Sequence, residues 1–161
     1  MMKNSLVILI VALICCLPSI SNGQSKSETN DQEIFLKHSD ECLDAMVKAA
    51  KDMSVKGACV IAFIPGNVSD SWLSKMKVAG SLQNGSANYL AVAYTKAAEM
   101  ADTFKKSGSG VREPMHGEFG YQGGVIKKID SGYILAAFSG ATGEQDEEIA
   151  QKGLDLLAAF F

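Results

Sequence analysis

Histidine is nearly absent: His38 and His116 are the two in a chain of 161 residues. Cysteine numbers four, and past the first twenty-odd residues only Cys42 and Cys59 remain. No spacing typical of a zinc site occurs. The 15 Lys and Arg, against 18 Asp and Glu, form no stripe with interleaved aromatics, which argues against nucleic acid as a partner. After residue 17 no long apolar run recurs, so the rest of the chain is expected to be soluble. The Gly/Ser patch at 107–110 has no strand leading into it and makes no nucleophile elbow. Internal repeats and inter-domain linkers are also lacking. What is left is the length of one ordinary domain with no visible catalytic constellation.

The first twenty-odd residues read as a secretion signal. Lys3 supplies a positive start, and residues 6–17 are apolar. A signal core has this length, while a spanning helix needs roughly 20 residues. Pro18 ends the run, and Ser21-Asn22-Gly23 offers the small residues that signal peptidase reads. Cleavage after Gly23 leaves a domain at 24–161, exported to the periplasm or the extracellular space. The rival is a lipid anchor on Cys15 or Cys16. The residues before them, Ile14 and Cys15, are not the small kind an anchor site wants.

Export makes the state of Cys42 and Cys59 matter. Cys42 falls inside an expected helix whose end lies about 11 residues on, roughly 16 Å at 1.5 Å per residue. Cys59 falls early in the next strand, roughly 7 Å back. The remaining offset of about 9 Å exceeds the span of a disulfide, so two buried free thiols are expected.

The expected order is helix, strand, strand, helix, hairpin, helix. Asn30 with Glu33 opens the first helix like a capping box, and Phe35, Cys42, Met46 and Ala50 recur at helical spacing. Gly57 is a plausible left-handed stop. Residues 58–64 are apolar throughout, as in a strand covered on both faces. Pro65-Gly66-Asn67 has turn chemistry. Residues 72–78 alternate, with Trp72, Ser74, Met76 and Val78 on one face and Leu73, Lys75 and Lys77 on the other. That pattern suits a sheet edge or a face open to a partner. A second helix is expected over 87–105. Residues 106–122 form a long Gly-rich passage, and such loops often bind something. Strands at 123–128 and 133–139 make a hairpin, and Thr142 with Gln145 opens the last helix. Short connections within each strand pair predict a single α/β (α+β) domain with a mainly antiparallel sheet packed by helices.

Few residues are candidates for chemistry. His38 sits beside a charged helix face and is expected to be solvated. His116 lies in the long loop next to Met115, with Tyr121 nearby. Imidazole, thioether and phenolate all ligate haem iron. The competing reading is a surface loop without a ligand. Glu144, Asp146, Glu147 and Glu148 crowd the start of the last helix, where acids favour its dipole. A weak metal site through Glu144 and Glu147 is the alternative. The stretch 139–143 could in principle hold an anion on exposed N–H groups, with a tight turn as the simpler reading. Asn67-Val68-Ser69 and Asn84-Gly85-Ser86 are glycosylation sequons.

The C-terminal stretch Tyr133-Ile134-Leu135-Ala136-Ala137-Phe138-Ser139-Gly140-Ala141-Thr142-Gly143-Glu144-Gln145-Asp146-Glu147 resembles the end of GlcG/HbpS-type proteins. Gln122-Gly123-Gly124-Val125-Ile126 resembles their Gly-Gly-x-Pro-Ile strand without its proline. Ala93-Tyr94-Thr95-Lys96-Ala97 resembles their Ala-x-x-Lys-Ala helix. The family's Asp-x-x-Gly after the first strand is replaced here by Pro65-Gly66-Asn67. The resemblance implies a profilin-like fold, homo-oligomers and, in some members, haem binding or haem sensing. On that basis the expected ligand is haem or a similar tetrapyrrole in a groove beside the sheet. Arg112 would pair a propionate, and His116, Met115 or Tyr121 would approach the iron. The alternative is a non-enzymatic protein-interaction or sensor module with no cofactor, and a sensor protein is a possible partner.

Overall fold

The structure, a computed structural model, describes residues 26–161, with side chains from Asn30 onward. The expected secretion signal at 1–23 and the possible anchor at Cys15 or Cys16 lie outside the described residues. Helix α1 spans Lys26–Asp52, followed by strands β1 (Gly57–Pro65) and β2 (Leu73–Ala79) and helix α2 (Tyr89–Thr103). Strands β3 (Gly124–Ile129) and β4 (Gly132–Ser139) make a hairpin, and α3 (Gly143–Ala158) closes the domain. All strand pairs are antiparallel, in the order β2-β1-β4-β3. The α+β class and the mainly antiparallel sheet are as expected from the sequence.

Alternation along β1 builds both layers of the core. Cys59, Ile61 and Phe63 point to one face, where α1 and α3 cover them with Phe35, Met46 and Ile149. Val60, Ala62 and Ile64 point to the other, against Ala93, Ala97 and Met100 of α2. The continuous apolar run is therefore a central strand buried on both sides. β2 lies at an edge. Its Met76, and Trp72 just before it, pack toward α2. Lys75 and Lys77 on its other face pair with Asp40 and Asp44 of α1. The half-polar face thus meets the domain's own helix.

Three local expectations need correction. Helix α1 begins before Asn30, because residues 26–29 contain no Gly or Pro to stop it. Its end is not made by Gly57. Ser54 takes the left-handed conformation (φ 58°), and Val55 N–H donates to the Ala50 carbonyl, with Ser54 N–H donating to that of Lys51. This is the Schellman arrangement with serine in the usual glycine position. Gly57 opens β1 instead, where a Cβ would strike the Ser139 carbonyl and the Phe138 ring. His38 is not simply solvated: its ring stacks on Phe160 at 3.6 Å between centroids. The cap of α3 is as expected, with Thr142 and Gln145 forming a capping box.

Cys42 and Cys59 are buried and free, in the same core layer. Burial pushes the Cys42 thiol up to about 11 and the Cys59 thiol up to about 12. The thiolate is the reactive form, so neither should react at neutral pH while the fold holds. We predict no labelling of either by a thiol reagent at pH 8 in the native state, and rapid labelling of both in denaturant. Mass spectrometry of digested protein checks this; native labelling at Cys42 or Cys59 would contradict the packing described.

Candidate functional site

A cleft of about 430 Å³ opens beside α2, between the end of the long passage and the β4–α3 turn. Its floor is a buried ion pair. Lys96 of α2 and Asp146 of α3 are 2% and 3% exposed, and Lys96 Nζ lies 2.7 Å from Asp146 Oδ2. Nζ also donates to the Phe138 carbonyl at 2.8 Å. Asp146 Oδ1 accepts from Ala141 N–H at 2.9 Å, and the Gly140 N–H adds a further donor. Burial pulls the Lys96 ammonium below the usual lysine range and pushes the Asp146 carboxyl up. Their mutual attraction and the turn's N–H groups oppose both shifts. Asp146 receives only N–H donors, the pattern a carboxylate needs, so the pair is ionised.

Glycines make room for it. At Gly123 (φ +122°) a Cβ would lie 2.5 Å from both Lys96 Nζ and Asp146 Cβ. At Gly140 a Cβ would collide with the Lys56 carbonyl. The Gly123-Gly124 pair, Lys96, the 139–141 turn and Asp146 are the very segments on which the sequence resemblance rests, and they converge here. Above the floor, Ala87 and Val92 form one wall and Tyr121 and Gln122 the other.

The passage at 106–122 is a closed loop. Gly124 N–H donates to Ser107 Oγ at 2.8 Å, and Gly108 N–H donates to Glu99 Oε1 at 2.9 Å. A Cβ on Gly108 would lie 2.6 Å from Gln122 N, so the two ends of the loop touch, as in an Ω-loop. Arg112 is tied down inside it. Its guanidinium forks onto both oxygens of Glu118 at 2.7 and 2.9 Å and also meets Asp102. Met115 N–H donates to the same Glu118.

Of the four residues expected to meet a cofactor, Tyr121 lines the cleft. Its ring stacks on Phe119 at 5.1 Å, and both rings are half exposed. Arg112 has its charge matched by two carboxylates. Met115 and His116 are exposed on the loop and do not line the cleft. The sequence alone does not single out Lys96 as a site residue, and Asp146 reads there as one of several helix-dipole acids. The signal was there in outline: a lysine amid the alanines of a buried helix face has to have a partner. Among the described residues, no group of three or more His, Cys, Asp or Glu side chains could hold a metal. Glu147, one half of the suggested metal pair, is bound to Lys106 and Gln122.

Removing one partner of the buried pair strands a charge. We predict that Lys96→Met costs about 3–5 kcal/mol of unfolding free energy. Adding Asp146→Asn to it should recover part of the loss, since no uncompensated charge then remains. Urea melts of wild type, both single variants and the double variant measure the coupling; additive losses would contradict it. Gly123→Ala should destabilise by more than about 1 kcal/mol, because it combines a positive φ with a clash.

The loop clamp carries a pH dependence of its own. Hydrogen bonds from Arg112 and Met115 hold the Glu118 carboxyl at about 2, below its ordinary 4.5. A depressed carboxyl stabilises the closed loop above its unfolded pKa and loses that contribution as pH falls toward the folded value. The protection factor of the Met115 amide, its exchange rate relative to the unstructured chain at the same pH, should therefore hold at pH 6 and fall between about pH 4.5 and 2. A Glu118→Gln variant should exchange quickly already at pH 6.

No family model and no curated protein matches the chain. Two solved structures share its architecture. One is the crystal structure of Klebsiella pneumoniae protein ORFY, of family DUF336, at 19% identity and a TM-score of 0.50, covering 77% of this chain and 90% of that one. The other is the crystal structure of Ybr137w protein, at 16% identity and a TM-score of 0.52, covering 86% of this chain and 88% of that one. At such identities the likeness speaks to fold alone. This chain has the GlcG-like (DUF336) fold, as its own motifs implied.

Proposed function

We propose that this protein is an exported, non-enzymatic binder of a small organic molecule held in the cleft over Lys96 and Asp146. The cleft itself carries the reading. Its volume of about 430 Å³ falls in the range of small-molecule sites. Apolar surface from Ala87, Val92 and Tyr121 surrounds a few fixed polar groups, the usual composition of such sites. Export is supported by the apolar run at 6–17 with its small-residue end at 21–23.

Haem, the ligand the sequence resemblance brings with it, fits this cleft poorly. Tyr121 could offer the iron a phenol oxygen. Among the described residues, no free cation lines the space to receive propionates: Lys96 is matched by Asp146, and Arg112 by Glu118 and Asp102. A smaller ligand without its own charges suits these residues better.

Two titrations test this. Small aromatic fragments should shift the backbone amide signals of Tyr121, Gln122, Ala141 and Gly143 in NMR spectra of residues 24–161. Haem added to the same protein should give no sharpened, near-stoichiometric Soret band. A fragment screen without effect at those four amides would overturn the reading. A stoichiometric Soret shift, lost in Tyr121→Phe, would replace it with haem binding.

A further inference from the structure

We infer that the cleft selects an uncharged ligand by hydrogen-bonding its carbonyl oxygen to Lys96 Nζ; this rests on the ligand-binding reading above. An ammonium carries three N–H groups. Lys96 donates to two acceptors among the described residues, Phe138 O and Asp146 Oδ2. The third N–H belongs to a side chain that is 2% exposed and lines the cleft. A buried donor without an acceptor is costly, so a guest that supplies one gains by it. Gly123 leaves the space beside the ammonium free of a side chain, since a Cβ there would lie 2.5 Å from Nζ.

The charge of the guest follows from the floor. Lys96 and Asp146 already cancel. A carboxylate head would gain from the α3 dipole, but the Gly140 and Ala141 N–H groups are already taken by Asp146, and it would bring a second anion beside that carboxylate. An ammonium head would face Lys96 and the positive end of the α3 dipole. Either leaves a net charge in a partly desolvated cleft, which is expensive. A carbonyl head brings an acceptor and no charge. The rest of the guest meets Tyr121, Val92 and Ala87 and should be aromatic or aliphatic. The ligand class is thus small amides, lactams or ketones with an apolar body.

Four probes of one shape separate the possibilities: benzamide, benzoate, benzylamine and toluene, each titrated at pH 7 into residues 24–161. The readouts are the backbone amides of the cleft and the Lys96 ammonium signal, so no variant is required. Benzamide should bind about 10-fold more tightly than the other three, the value of one charge-assisted hydrogen bond. It should also move the Lys96 signal, which toluene should leave in place. Tighter binding of benzoate or benzylamine would overturn the inference, as would a Lys96 signal indifferent to benzamide. Equal binding of all four would remove the head-group inference and keep the cleft as a ligand site. If none perturbs the cleft, both readings fall.

Discussion

The Lys96–Asp146 ion pair is the constraint around which this end of the domain is arranged. Its two charges come from helices on opposite faces of the sheet and are 50 residues apart in the chain. They can meet only past the sheet's end, where β4 stops at Ser139 and a short turn leads into α3. Every nearby local feature serves that meeting. Gly123 has no side chain, the Phe138 carbonyl accepts from Nζ, and the Gly140 and Ala141 amides solvate the carboxylate. Ion pairs buried this deeply are weak sources of stability, because desolvation offsets most of the attraction. Their physical effect is geometric: a pair that is costly to break fixes the relative placement of α2, β3 and α3.

The fold was largely legible because its signals are local. The apolar run at 58–64 reads as a central strand, and β1 is one. Thr142 and Gln145 read as a helix start, and the capping box forms. The Cys42–Cys59 offset reads as too wide for a disulfide, and both thiols are free. Errors came where a local cue had two uses. Glycine at 57 can end a helix or admit a close strand, and only the position of Ser139 decides between them. Ser54 then takes the left-handed position, which sequence preference would not assign to it.

The site was legible only in pieces. The motifs behind the GlcG-like resemblance each lie in a different element, and nothing in their spacing says that they touch. Asp146 stood among Glu144, Glu147 and Glu148, where a dipole explanation covers all four. Burial separates them: Asp146 faces inward and Glu144 is exposed. The loop residues Arg112, Met115 and His116 are conspicuous in the sequence for their chemistry. Arg112, however, spends its charge on Glu118 within the loop and on Asp102 of α2. Compact loops are packed by their own side chains, and Arg112 serves that packing here.

The loop and the cleft are mechanically joined, and this bears on how a guest could enter. The Ω-loop is fastened at its base by Ser107 to β3 and by Glu99 to Gly108, and within itself by Arg112. Its last residues, Gly120 to Gln122, form the outer wall of the cleft. Between the Arg112 clamp and Gly123 the chain holds Phe119 and Tyr121, which stack on each other with half of their surface in water. That wall therefore has little apolar burial holding it in place. The floor, by contrast, is locked by charge and close packing. On the proposed binding role, a rigid floor would recognise the head of a guest while the wall shifts around its body, a combination that admits a small ligand without disturbing the core.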